Sequence, residues 1–160
     1  MAEQKTNVMR VLEQKKIAYT PHEYPHGTEP VDGVTVAGII GKDPKSVYKT
    51  LVARGTSKTV YVFDIPVDGE LDLKKAAKAV GEKSIAMVHV NEITAITGYV
   101  RGGCSPIGMK KQYKTVFHRE AEKLTTVTVS AGKIGAQVEL APRDLFSLVR
   151  AVTADLITED

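Results

Sequence analysis

Val47-Tyr48-Lys49-Thr50-Leu51-Val52-Ala53 and Thr59-Val60-Tyr61-Val62-Phe63-Asp64-Ile65-Pro66 are two β-rich runs, separated by Arg54-Gly55-Thr56-Ser57-Lys58. β-Branched and aromatic residues dominate both runs, and Gly55 and Ser57 suit a turn between them. The stretch predicts a β-hairpin. Side chains alternate along a strand, so Lys49 shares a face with Val47 and Leu51. An ammonium on an inward apolar face is costly unless it has a partner or a task. Such a lysine loses affinity for its proton or holds a negative ligand. On an outward edge the same residue would instead discourage strand pairing. Pattern alone leaves both readings open.

Toward the N-terminus, Thr6 can cap a helix whose apolar stripe is Val8, Val11 and Leu12. A strand is expected over 17–24, stopped by Pro25, then a loop over 27–33 and a short helix over 35–40 ending at Gly41. Downstream, Asp72 caps a helix over 73–80 that Gly81 ends. A strand over 85–90 follows, then a short helix capped by Asn91 and stopped by Gly98. Strands are expected over 113–118, 124–130 and 136–140. Pro142 opens a last helix that turns Leu145, Leu148 and Val149 inward. The tally is about seven strands and five helices, with hairpins outnumbering βαβ crossovers. The expected class is α/β of the α+β type, with a mixed, mostly antiparallel, barrel-like sheet and peripheral helices.

The 160 residues suit one domain spanning 1–160. A hydrophobic fraction of 42% and a charged fraction of 26% describe an ordinary globular chain. No apolar run approaches the roughly 18 residues that cross a bilayer. Met1-Ala2-Glu3-Gln4-Lys5 lacks the pattern of a secretory signal, so a cytoplasmic protein is expected. Cys104 is the only cysteine, which excludes an internal disulfide and a thiolate zinc site. Pro21 and Pro25 flank His22 and His26 and argue against a helix presenting both to a metal. Neither a metal nor a cofactor is expected. The net charge of +3 permits a polyanionic partner without requiring one. Lys74, Lys75 and Lys78, and Lys110, Lys111 and Lys114, form local basic groups.

Phosphate-binding, dinucleotide, zincin and serine-hydrolase motifs are all absent. What remains besides Lys49 is two glycine-rich loops. In Gly102-Gly103-Cys104-Ser105-Pro106-Ile107-Gly108, adjacent glycines allow backbone N–H groups close to a ligand, and Ser105-Pro106 stiffens the turn. Such a loop can serve a carbonyl that becomes an oxyanion, or can be a plain turn. Ser130-Ala131-Gly132-Lys133-Ile134-Gly135 reads as a hairpin loop. Ser130 has no neighbour in sequence to activate it as a nucleophile. Cys104 has no assignable histidine partner either.

Five segments together resemble the YbaK/EbsC family of Cys-tRNA(Pro) deacylases, relatives of the editing domain inserted in bacterial prolyl-tRNA synthetases. They are Tyr48-Lys49-Thr50-Leu51-Val52, Leu73-Lys74-Lys75-Ala76-Ala77-Lys78 and Gly98-Tyr99-Val100-Arg101-Gly102-Gly103-Cys104-Ser105-Pro106-Ile107-Gly108, then Val129-Ser130-Ala131-Gly132-Lys133-Ile134-Gly135 and Val138-Glu139-Leu140-Ala141-Pro142-Arg143-Asp144-Leu145. The resemblance implies the YbaK fold and hydrolysis of the ester joining an amino acid to tRNA, chiefly cysteine on proline tRNA. It places the family's lysine at Lys49, its glycine loop at 102–108, its serine loop at 130–135 and a pocket-mouth tyrosine at Tyr24. Substrate-assisted attack by the cysteinyl thiol is implied, so no protein nucleophile is needed. Lys49, Gly102 and Gly103 then carry the catalytic expectation. Tyr24, Tyr48, Thr50, Ser105, Pro106, Ser130 and Gly132 carry the substrate-binding one. The implied partners are the aminoacylated end of tRNA and prolyl-tRNA synthetase. Cys104 and Ala131 depart from the family pattern, which leaves alanyl or seryl esters as alternative substrates. A non-catalytic module that binds a tRNA end beside a synthetase is the competing reading.

Overall fold

The computed structural model describes residues 5–159; Met1–Gln4, part of the stretch read for a signal segment, lie outside it. The predicted hairpin forms as β2 (Tyr48–Gly55) and β3 (Val60–Pro66), paired antiparallel from Tyr48↔Pro66 to Arg54↔Val60. β3 is buried from Tyr61 to Pro66, on both faces, because it sits centrally in a five-stranded sheet. Its neighbour on the far side is β5 (Lys114–His118), parallel, and β8 (Val152–Ala154) extends the sheet beyond it. β4 (Ile85–Met87) covers the other edge of β2. A second sheet of three antiparallel strands has the order β1 (Thr20–Glu23), β7 (Ala136–Leu140), β6 (Val127–Ser130).

A single bridge, Val47↔Thr128, joins the two sheets. The expected barrel-like closure is therefore an open seam between two sheets. Four of six strand pairings are antiparallel, as expected of a mostly antiparallel fold.

Five helices surround the sheets. Thr6 caps α1 (Asn7–Gln14) by accepting the Met9 N–H, and Val8 and Leu12 enter the core. α2 (Gly33–Ile40) starts two residues before the expected point because Asp32 caps it through Thr35. α3 (Leu73–Val80) has the Asp72 cap and the left-handed Gly81 end that the sequence predicts. The expectation for Asn91 fails. A 3-10 turn over Val90–Glu92 absorbs it, and α4 (Ile93–Thr97) begins after Glu92. Pro142 opens α5 (Pro142–Val149), burying Leu145 and Val149 while Leu148 is half-buried. β8 escaped the sequence reading, since three half-exposed residues have no strand signal until β5 pairs with them.

Two apolar clusters result. One packs α1 and α5 against the three-stranded sheet and includes Tyr48 and Phe117; the other packs α3 against Phe63, Ile65 and Val116. The end of α2 is tied to the smaller sheet by Glu139, which accepts from Lys42 Nζ at 2.6 Å, Thr126 Oγ1 at 2.5 Å and bonds His22 Nε2 at 2.8 Å. Burial alone would raise the Glu139 pKa; the three partners outweigh it and hold the carboxyl down at about 2. A depressed carboxyl contributes stability present above its unfolded pKa and lost as pH falls through its folded one. Glu139→Gln is thus expected to cost about 2 kcal/mol at pH 7, the scale of hydrogen bonds to a charged group. The gap from the parent should close between about pH 4.5 and pH 2. Urea unfolding at both ends of that range checks it.

Candidate active site

The seam between the sheets opens into a cleft of about 560 Å³. The first residues of β2 form one wall. The start of α2, from Pro30 to Gly33, forms a second, and the 101–104 loop a third. Ser130, Gln137 and Tyr24 close the side nearest the small sheet.

Lys49 stands in the β2 wall, half-buried, beside Val47 and Leu51 as the alternation predicts. Among the described residues no hydrogen bond or ion pair holds its ammonium. Its charge reaches Asp32, whose carboxyl lies below the ordinary range chiefly because Thr35 donates to it, with Lys49 adding to the effect. Lys49 thus shares the cleft with one carboxylate, Asp32, which it feels through space and does not bond.

Of the other residues singled out by sequence, Tyr24, Tyr48, Thr50, Gly102 and Ser130 line the same cleft. Tyr48 is nearly fully buried and stacks on Phe117 with centroids 6.0 Å apart. Burial pushes its phenol well up, and its hydroxyl has no partner. Ser130 Oγ accepts the Gly132 N–H at 3.1 Å, which fixes the rotamer of the one hydroxyl this loop turns to the cleft.

Gly103, Ser105, Pro106 and Gly132 stand behind the lining. The Gly103 N–H donates to Val100 O at 3.0 Å, so it closes a turn and does not face a substrate carbonyl. The Gly102 N–H is not drawn into that turn. Both glycines are needed for close approach. A Cβ on Gly102 (φ +87) would lie 2.8 Å from Pro30, and one on Gly103 would lie 2.8 Å from the Lys133 backbone. The glycine loop is thereby wedged between the α2 approach and the serine loop, which brings the three walls together. Ser105 is completely buried and its Oγ accepts the Ile107 N–H, a role internal to the loop.

Sequence reasoning missed Asp32, Arg101 and Gln137. Asp32 was visible as a cap with Thr35 three residues on. Arg101 lay in the segment quoted for the resemblance, one residue before the glycine loop. Gln137 faces the cleft only because it pairs with Ser130 across β6 and β7. It is buried beside Ser130, and its Oε1 has no hydrogen-bond partner.

Cys104 lines the cleft, but burial, helped by the Asp64 charge and opposed by a hydrogen bond with Thr97, pushes its thiol up to about 12. A thiol held protonated is inert at neutral pH. Alkylation by iodoacetamide at pH 7.5 is expected to run about a hundredfold or more below that of an unperturbed thiol, since only the thiolate reacts. Labelling followed by mass spectrometry measures it.

The chain belongs to the aminoacyl-tRNA editing domain family, whose model matches residues 28–148. It is 44% identical over 158 residues to EbsC of Enterococcus faecalis, a protein that carries the provisional name Cys-tRNA(Pro)/Cys-tRNA(Cys) deacylase. The match covers 99% of this chain and 96% of EbsC. Among solved structures, one described provisionally as a trans-editing enzyme for prolyl tRNA synthetase superposes with a TM-score of 0.82. It is 24% identical, and the match covers 98% of this chain and all of that one. A hypothetical protein of known structure superposes with a TM-score of 0.83 at 24% identity, over 94% and 99% of the two chains. Among the described residues no helix is long and apolar enough to cross a membrane.

Proposed function

We propose that this protein is a trans-editing hydrolase that cleaves the ester between a wrong amino acid and tRNA, chiefly cysteine on proline tRNA, in the cytoplasm. The observation that carries the reading is Lys49, an unpaired ammonium in the wall of a cleft shared with Arg101, Gly102 and Ser130. The family and the 44% identity to EbsC support the substrate class.

Lys49 and Arg101 give the cleft two cations for the ribose–phosphate end of the acceptor strand or for charge on the ester oxygen. The Gly102 N–H adds a donor to the carbonyl. Ser130 holds the aminoacyl group by hydrogen bonding, with Gln137 beside it in the cleft wall. Tyr24, Tyr48 and Thr50 bound the space for the side chain. Attack by a tethered cysteinyl thiol is intramolecular, and alignment of that kind can supply several kcal/mol. Cys104 is a wall residue in this reading, and Cys104→Ala leaves turnover within about threefold, because no covalent step uses it.

Selection of the tRNA body is assigned to prolyl-tRNA synthetase, since the two basic groups on the surface are small. The deciding measurement is loss of amino acid from purified Cys-tRNA(Pro) on mixing with the protein. Release is expected. Binding without release would make the protein a tRNA-end module, and release from alanyl or seryl esters alone would shift the substrate.

A further inference from the structure

Asp64, in the middle of β3, is completely buried. Thr50 Oγ1 donates to its Oδ1 at 2.5 Å, and its Oδ2 has no partner. Thr50 is half-buried and is one of the residues lining the cleft, its side chain on the opposite face of β2 from that of Lys49. Cys104, in the opposite wall, is close enough for the Asp64 charge to raise its thiol. A buried carboxyl with one hydrogen bond is a costly occupant of a central strand. Its register partner on β5 is Phe117, and its neighbours along β3 are Phe63 and Ile65. The titratable groups it faces are Tyr48 on β2 and Cys104 on the loop, both held neutral. No cation offsets it, so burial raises its pKa to about 8, against the opposing bond from Thr50. Its one bonded partner is the hydroxyl of a residue that lines the cleft, which is the pattern of a group retained for chemistry.

We propose that Thr50 and Asp64 form a two-residue proton relay for the nucleophile of the deacylation. The inference rests on the editing function proposed above. As the attacking S–H or O–H group approaches the ester carbonyl carbon, its proton passes to Thr50 Oγ1 while the Thr50 proton passes to Asp64 Oδ1. The new bond forms from the freed lone pair, and the carbonyl electron pair moves onto the carbonyl oxygen. When that pair returns, the bond to the ribose oxygen breaks. Asp64 then gives its proton back through Thr50 to the departing oxygen. The nucleophile is the substrate's own thiol or a water, and the chemistry asked of the relay is the same. A base whose pKa lies near the working pH is the efficient choice for this transfer.

The test compares parent, Asp64→Asn, Thr50→Val and Thr50→Ser on cysteinyl and alanyl esters of proline tRNA, single-turnover, from pH 6 to 9.5. Asp64→Asn and Thr50→Val are expected to lower the cleavage rate about a hundredfold, the lower part of the range for general acid–base catalysis, with little change in tRNA binding. The parent's rising limb near pH 8 should flatten in both, and Thr50→Ser should restore most of the loss. Loss on the cysteinyl ester alone assigns the relay to the thiol; loss on both assigns it to water. A carboxyl 13C resonance of the parent titrating near pH 8, absent in Asp64→Asn, is the readout independent of turnover. Should Asp64→Asn fail to fold, Thr50→Val carries the same expectation with β3 intact. A parent that is active while the variants keep its rate and limb, or lose only melting temperature, overturns the relay alone. A parent inactive on both esters overturns the editing function and the relay with it.

Discussion

Lys49→Ala is expected to lower deacylation of Cys-tRNA(Pro) by about a hundredfold to a thousandfold, the loss seen when one preorganised donor to a developing oxyanion is removed. The physical basis is the ammonium's place in the wall of a partly closed cleft, where no carboxylate of the described residues lies within ion-pair distance of it. Folding should change little, because Lys49 anchors no network and the flanking Tyr48 and Leu51 keep β2 in register. Lys49→Arg should recover part of the rate. Its fork keeps the charge but spreads it over a larger planar group that the wall was not shaped for. The measurement is the single-turnover rate of amino acid release, with melting temperature as the folding control. Full activity in Lys49→Ala would remove the lysine from the chemistry, whatever the family of the protein.

Phe117→Ala is expected to destabilise the fold by about 3–5 kcal/mol, the range for deleting a buried phenyl ring. Phe117 is completely buried. It stacks on Tyr48 and meets Phe146 of α5 at 5.1 Å between centroids. It therefore links the five-stranded sheet to the cluster beneath the small sheet, across the seam that the cleft occupies. Truncation leaves a cavity behind Tyr48, one of the cleft's own walls. The melting temperature should fall by roughly 10 °C, given the usual entropy of unfolding for a chain of this size. Activity at a temperature where the variant is still folded should fall as well, because Tyr48 loses the ring that sets its position. Substitution by leucine should recover part of both, and thermal unfolding alongside tRNA deacylation reads the two effects.

The local elements were legible because short-range chemistry governs them. The hairpin followed from β-branched runs around Gly55, and α3 from Asp72 and Gly81 at its ends. The face of Lys49 followed from strand alternation, and Pro142 marked the start of α5. The family was legible for a different reason: five segments that resemble it occur in order along nearly the whole chain. Asn91 misled because its capping propensity is real but a 3-10 turn over Val90–Glu92, with His89 at its N-cap, claimed the position first. Gly103 misled because composition says that a backbone N–H can approach a ligand, not which acceptor it meets. Here the acceptor is Val100 O.

The amino-acid order alone therefore determined the helices, most of the strands, the side on which Lys49 projects and the family. It did so through propensities and periodicities that act within a few residues. Tertiary structure decided that the sheet splits into two and leaves a seam in place of a barrel. It also decided that Asp32, Arg101 and Gln137 join Lys49 there, and that a carboxyl on β3 ends up behind a threonine on β2. Those outcomes depend on pairings between strands far apart in the chain. A residue's burial and its partners there are properties of the assembled neighbours, which no local window of sequence contains.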